Sequence, residues 1–256
     1  MPITGKDILL YEKDNKIVTI TINRPEKMNA FPHELHGLFN EAFQRFNDDD
    51  DAWVAIITGA GDKAFCAGAD LKDESSVAKA GRGLPPPWYV MDIWKPMIAA
   101  INGYCIALGW MVAQKCDVRI AAEHAKMGIT EAQFNLSATF ASDLVDQLNL
   151  AHVLEIVLWG DRLISAQRAY EIGWVNKVVP QEKLMEETRS WAERMIDLAP
   201  RAVRHYKEII YRSLHMSEAN RRAFAVALQS DLAGMEDAAE GVRAFREKRK
   251  PVFKNK

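Results

Sequence analysis

Two stretches of this chain place small residues where a strand would run into a helix: Ala64-Phe65-Cys66-Ala67-Gly68-Ala69-Asp70-Leu71-Lys72 and Ile98-Ala99-Ala100-Ile101-Asn102-Gly103-Tyr104-Cys105-Ile106-Ala107-Leu108-Gly109. The first N–H groups of a helix lack intrahelical acceptors and carry the positive end of its dipole. Such turns therefore aim backbone donors at whatever lies in front of them. Ala69 is the donor in the first turn, with Leu71 and Lys72 opening the helix behind it; Leu108 and Gly109 are the donors in the second. One turn alone is an ordinary connection. Two that converge on one oxygen form an oxyanion hole, where each donor is worth on the order of 10²–10³ in rate. The charge they would hold is that of an enolate, formed when a proton leaves the carbon beside a carbonyl.

Those turns need strands and helices to carry them. Ile8 to Glu12 and Ile17 to Ile22 flank a polar stretch and read as a β-hairpin, with Val18, Ile20 and Ile22 alternating against Thr19 and Thr21. Leu35, Leu38, Phe39, Phe43 and Phe46 predict a helix over 33–47, and the β-branched run Trp53 to Gly59 a buried strand. A helix through Met91 to Trp94, a strand over 97–101, a helix over 109–115 and a strand over 118–122 continue the alternation, which argues for right-handed parallel crossovers. The Gly-, Ser- and Pro-rich segment Glu74 to Trp88 is expected to be a loop covering a pocket. From Phe140 on, helical spacing dominates, and the basic tail Arg246 to Lys256 is expected to reach outward.

Composition narrows the chemistry. A chain of 256 residues, 48% hydrophobic and 27% charged, suits one large α/β domain with a small appendage. Its 33 Lys and Arg against 35 Asp and Glu give a net charge of −2, so no global field draws it to nucleic acid or an anionic membrane. Cys66, Cys105 and Cys116 have no C-x-x-C spacing and read as buried reduced thiols. His33-Glu34-Leu35-His36 lacks the second half of a zinc motif and reads as helix surface. Charged residues interrupt the first twenty positions and no apolar run reaches the ~18 residues of a membrane span, which suggests a cytoplasmic protein. Trp88, Trp94 and Trp110 are expected to line an apolar pocket.

Five motifs in order, Asn23-Arg24-Pro25-Glu26-Lys27-Met28-Asn29-Ala30, Phe65 to Lys72, Lys95 to Gly103, Cys116-Asp117 and Phe245-Arg246-Glu247-Lys248-Arg249, together resemble the crotonase (enoyl-CoA hydratase/isomerase) superfamily over nearly the whole chain. The resemblance implies an α/β fold with a core of repeated ββα turns over 1–195, holding the acyl-CoA site, and a helical trimerisation region over 196–256. It places Ala69 and Leu108 at the oxyanion-hole positions, with Leu108 where a glycine is usual. Lys27, Met28, Ala30, Ala67, Asp70, Leu71, Lys72 and Gly109 fall where the family holds coenzyme A, and Lys248 or Lys254 could approach its phosphates. Coenzyme A would enter only as part of the thioester substrate, with no permanent cofactor and no metal. The implied assembly is a homotrimer or a dimer of trimers.

Hydratases of that superfamily carry two glutamates. Here the first position is Met111, six before Asp117, and the second is Glu131 in Gly128-Ile129-Thr130-Glu131. One carboxylate can move a proton from one carbon to another, whereas adding water across a double bond is easiest with two groups. The expectation is an isomerase-type double-bond shift. A hydratase acting on a cyclic or aryl acyl-CoA, an acyl-CoA hydrolase and a silent acyl-CoA-binding trimer are the alternatives. Ser137 to Ser142 replaces the family's small-residue shelf, and Ser137, Thr139, Ser142, Asp143 and Asp146 are candidate substitutes for the missing group.

Overall fold

The computed structural model describes residues 8–75 and 85–256. In chain order the elements are β1 (Leu9–Asp14), β2 (Ile17–Ile22), α1 (Glu34–Asp48), β3 (Val54–Gly59), β4 (Ala64–Cys66), α2 (Pro87–Val90), β5 (Met97–Ile101), β6 (Tyr104–Ile106), α3 (Leu108–Gln114), β7 (Val118–Ala122) and β8 (Lys126–Gly128). Then follow α4 (Leu150–Leu158), β9 (Ile164–Ser165), α5 (Ala166–Glu171), β10 (Lys177–Val179), α6 (Leu184–Ile196), α7 (Pro200–Ser213), α8 (Glu218–Ala233) and α9 (Glu236–Arg246).

From β3 to β8 successive strands are dealt alternately into two sheets, one ordered β1-β2-β3-β5-β7-β10 and the other β4-β6-β8-β9. The expected hairpin is present, with Leu9 opposite Ile22, and the rest of the first sheet is parallel. Both of its faces are covered, which is why β3 and β5 read as nearly unbroken apolar runs. One face puts Ala55, Ile57, Ala99, Ile101 and Ala121 into the main core. The other puts Val54, Ile56, Ile98, Ala100 and Ile120 against Leu184 and Ala192 of α6.

Two buried asparagines tie the sheets together where the chain passes between them. Asn29 Nδ2 donates to the carbonyls of Ala60 and Ala64, and Asn102 Nδ2 to those of Gly59 and Gly61, at 2.6 to 3.0 Å. The motifs around these residues thus hold β4 in place beside β6.

Several expectations are corrected. Residues 91–94 are not helical: Pro87 at the first helical position starts α2 early, and Met91 is already extended, with φ −62° and ψ 128°. Trp88 packs in the core on Phe31, Phe39 and Phe43, and Trp110 stacks on Trp174 with ring centroids 3.7 Å apart, so both are core residues. His36 is not a bare surface residue, because its Nδ1 accepts from Trp88 Nε1 at 3.0 Å. The tail does not reach outward. Glu240 binds Arg249 through both oxygens and accepts from the Val252 N–H, Asp237 accepts from the Lys254 and Asn255 N–H groups, and Phe253 packs on the α6 side of the first sheet. Residues 76–84 of the expected covering loop lie outside the described residues.

Candidate active site

β4, β6 and β8 run parallel, with Cys66 opposite Cys105, Cys105 opposite Met127, and Ile106 opposite Gly128. Their C-terminal ends lie on one side, where Ala67 to Ala69, Ala107 to Gly109 and Ile129 to Glu131 follow the three strands. The Ala107 N–H donates to Gly128 O at 2.9 Å. A Cβ on Gly68, where φ is +98°, would lie 3.3 Å from both Ala107 Cβ and Ile106 O. A Cβ on Gly109 would lie 2.2 Å from Cys66 O. These glycines let the two turns pack backbone against backbone.

One amide in each turn is left facing outward. Phe31 bridges Ala69 in parallel fashion: the Phe31 N–H donates to Gly68 O at 2.8 Å and the Asp70 N–H to Phe31 O at 2.9 Å. That pattern uses the groups flanking Ala69, so the Ala69 N–H points away from Phe31. In α3 the first intrahelical bond is from the Met111 N–H to Ala107 O at 3.1 Å, which leaves the Leu108 and Gly109 N–H groups without intrahelical acceptors. Among the described residues neither the Ala69 nor the Leu108 N–H meets a backbone acceptor. Ala107, at φ 54° and ψ −115°, turns β6 sharply into α3 in a conformation that costs a residue with a Cβ roughly 1–3 kcal/mol.

The helix expected at Leu71 starts later. Asp70 Oδ1 accepts from the Lys72 N–H at 3.1 Å, making a local turn, and helical backbone begins only at Glu74. Leu71 and Lys72 therefore supply no helix dipole behind Ala69, while the helix behind Leu108 is in place.

Glu131 opens a 3-10 turn, Glu131–Phe134, three residues past the end of β8. Its side chain is half-buried, and Oε2 is fully covered with no hydrogen-bond partner among the described residues. Burial pushes its carboxyl above the usual glutamate value, with the Thr130 and Glu131 N–H groups offsetting part of the rise. Met111, on the inward face of α3, is 3% exposed. Phe134, at the end of the same turn, is 56% exposed. Among the candidate substitutes for a second glutamate, Ser142 Oγ donates to Thr139 O, Asp146 pairs with His215 at 3.3 Å, and Asp143 accepts from Tyr89 Oη at 2.7 Å.

Next to the first turn lies an open cleft of about 410 Å³, lined by residues that include Arg24, Lys27, His33, Asp70 and Lys72. Its floor is an ion pair: Arg24 and Asp70, both buried, meet at 2.9 Å, and Lys27 stands 3.9 Å from the same oxygen. Burial alone would raise the Asp70 carboxyl, but Arg24, the Lys72 N–H and Lys27 hold it below its usual value. Arg24 also donates to Ala30 O, and the Ala67 N–H donates to Met28 O at 3.1 Å, so the Lys27 to Ala30 segment runs beside the first turn. The structure thus gathers Lys27, Met28, Ala30, Ala67, Asp70 and Lys72 in one place. Leu71 is exposed at the rim, and Gly109 is buried against Cys66. Arg24 carried no expected role, since nothing local in the sequence pairs it with an aspartate 46 positions away.

Among the described residues no His, Cys, Asp and Glu group is placed to hold a metal, and no helix is long and apolar enough to cross a membrane. The three cysteines are free and buried, and burial pushes the Cys66 and Cys116 thiols up to about 12.

Residues 12–256 match the family model for enoyl-CoA hydratase/isomerase. The chain belongs to the enoyl-CoA hydratase/isomerase family, the crotonase superfamily. It is 35% identical to an (E)-benzylidenesuccinyl-CoA hydratase from Thauera aromatica, covering 99% of each chain. To a carnitinyl-CoA dehydratase from Salmonella typhimurium it is 36% identical, over 95% of this chain and 97% of the relative. Its fold superimposes on a crystal structure of an enoyl-CoA hydratase from Mycobacterium marinum with a TM-score of 0.90 at 31% identity, covering 98% and 100% of the two chains. The two-sheet spiral is therefore the fold of this enzyme family.

Proposed function

We propose that this enzyme binds an acyl-CoA thioester with its carbonyl oxygen between the Ala69 and Leu108 N–H groups and uses Glu131 as its single proton carrier, shifting a double bond. The Glu131 carboxylate takes a proton from the α carbon of a 3-enoyl thioester. The electron pair moves onto the carbonyl oxygen, where the two amides hold the dienolate. Return of the proton to the γ carbon gives the 2-enoyl thioester and restores the carboxylate, with nothing else consumed. The observation that carries this reading is a carboxylate with a covered oxygen that has no partner among the described residues, raised above its usual value, just past the strand that neighbours the one leading to the Leu108 amide. Met111 offers no second carboxylate to position water.

Water addition is the second reading, favoured by the hydratase and dehydratase names of the two relatives. The benzylidenesuccinyl relative also makes an aryl acyl chain a specific candidate. The Lys27 to Ala30 segment, Ala67, Asp70, Leu71, Lys72 and Gly109 would hold the coenzyme A part, with Lys27 and Lys72 as the cations at the cleft mouth. No permanent cofactor enters this scheme, and a cytoplasmic setting suits it.

For the assembly, we place a trimer contact, single or doubled into a hexamer, in the helices of 196–256. α8 buries no residue, α7 leaves Tyr206 and Ile210 exposed with Leu214 just after it, and Phe245 is 86% exposed. Apolar area of this kind marks an interface between chains. Light scattering on purified protein reads the mass directly; a monomer would overturn the assignment.

The activity is tested by offering purified protein 3-enoyl-CoA and 2-enoyl-CoA. The expected result is interconversion of the two. Formation of 3-hydroxyacyl-CoA instead selects the hydratase, release of free coenzyme A the hydrolase, and no reaction with retained binding the silent trimer.

A further inference from the structure

A polar relay, buried except at Asp143, links the helix that begins at Leu108 to the segment that follows Glu131. At one end, Trp110 Nε1 donates to Gln114 Oε1 at 3.1 Å. The Gln114 amide then donates through Nε2 to Phe140 O at 2.9 Å and to Tyr89 Oη at 3.0 Å. Tyr89 in turn donates its hydroxyl hydrogen to Asp143 Oδ2 at 2.7 Å. An indole N–H can only donate and a carbonyl can only accept, so these partners permit one orientation of the Gln114 amide. Each link thus has a single direction, and the last is a charge-assisted bond.

The elements joined this way are the ones whose relative position the chemistry depends on. Gln114 is the last residue of α3 and Leu108 the first, and a helix this short behaves as a rigid rod about 9 Å long. Phe140 and Asp143 lie in the 3-10 segment Thr139–Asp146, which follows the Glu131 turn in the chain. Tyr89 comes from α2 and closes the relay from outside both. Burial and the neighbouring Asp143 raise the Tyr89 hydroxyl above its ordinary value, so it remains a donor across the physiological range.

We propose that Tyr89 and Gln114 are positioning residues, and that with Asp143 they form a clamp that sets the distance between the Leu108 amide and the Glu131 arm. This rests on the assignment of Glu131 and the two amides above. The clamp touches no reacting atom in the scheme; it acts through the backbone of α3 and of the 139–146 segment.

The readout is exchange of the α hydrogens of butyryl-CoA in heavy water, followed by mass spectrometry, because it reports enolate formation whichever product the enzyme makes. Tyr89→Phe should lower the exchange kcat on the order of 10- to 100-fold, the scale of a misplacement of about 1 Å, while KM changes by less than about twofold. The pH profile should keep its acidic limb. Asp143 is exposed, so its variants do not challenge folding. Asp143→Ala should reproduce the Tyr89→Phe loss, and Asp143→Asn, which keeps an acceptor oxygen, should restore most of it. The double variant should lose no more than either single one, since both break the same link.

Wild-type exchange in a folded Tyr89→Phe or Asp143→Ala protein would overturn the clamp, as would a loss confined to KM. Equal losses in Asp143→Asn and Asp143→Ala would also overturn it, by making the carboxylate itself the active group. Glu131→Gln separates this from the parent reading. If that variant still exchanges at the wild-type rate, the role of Glu131 fails whatever Tyr89 does.

Discussion

Asp70 and Glu131 follow β4 and β8, the two strands that flank β6 in one sheet, and their surroundings are opposite. Asp70 lies against a buried guanidinium, a backbone N–H and a lysine, all of which favour its charge. Glu131 has one oxygen that meets no donor among the described residues, and its burial disfavours charge. A carboxylate that satisfies its neighbours is part of the scaffold, and one that its neighbours leave unsatisfied is ready to take a proton. Family membership alone does not draw that distinction, since both residues lie in motifs characteristic of the family.

The largest effect that tests the contrast is on turnover. Glu131→Gln should cut kcat by on the order of 10²–10⁴ while retaining binding of the thioester, measured by enoyl-CoA conversion and equilibrium binding. In the wild type the acidic limb of kcat/KM should lie above the ordinary glutamate value of about 4.3 and should be absent from any residual activity of the variant. Next comes the backbone. Gly109→Ala would drive a methyl group into Cys66 O and displace the start of α3, with an expected loss on the order of 10²–10³ in kcat in a protein whose circular dichroism is unchanged.

Stability should separate the two acids by sign. Asp70→Asn leaves Arg24 buried without its counter-charge and should cost about 3–5 kcal/mol in urea unfolding at pH 7. Because the folded-state value of Asp70 is depressed, its contribution is complete above the unfolded aspartate value and fades as pH falls through the folded one. Glu131 runs the other way. Its raised value favours the folded state only in acid, and that advantage disappears as pH rises, so Glu131→Gln should be more stable than wild type at pH 7 and lose the difference near pH 4. Identical pH slopes for the two variants would erase the contrast. The smallest effect is local: Ala107→Gly should relieve a strained backbone and add about 1 kcal/mol, read as a higher urea midpoint.

Much of this architecture was legible because its period was strong. The helix over Leu184–Ile196 and the strands over 97–101 and 118–122 follow directly from apolar spacing, and so do the two glycine-containing turns. What escaped depended on distant partners or on one competing bond. Lys72 reads as helical until Asp70 captures its N–H, and Met91 reads as helical until the prolines before it move the helix forward. The alternation of strands between two sheets leaves no mark in any single segment. Near the proposed site, the two small-residue turns at Ala69 and Leu108 are legible from the strand-to-helix pattern, whereas the Arg24 to Asp70 pair and the Tyr89 relay need three dimensions. Trp88 and Trp110 turn out to be core; by sequence a large aromatic ring suits a ligand pocket and a core equally well.

The stacked pair of Trp110 and Trp174 has a practical side. One ring belongs to the helix that begins at Leu108, the other to the segment beneath it, and their planes lie 19° apart. Indoles held this near share their electronic excitation, so the near-ultraviolet dichroism of the native enzyme contains an intrinsic gauge of that helix's seating. A shift of the rod would register optically, without label or substrate.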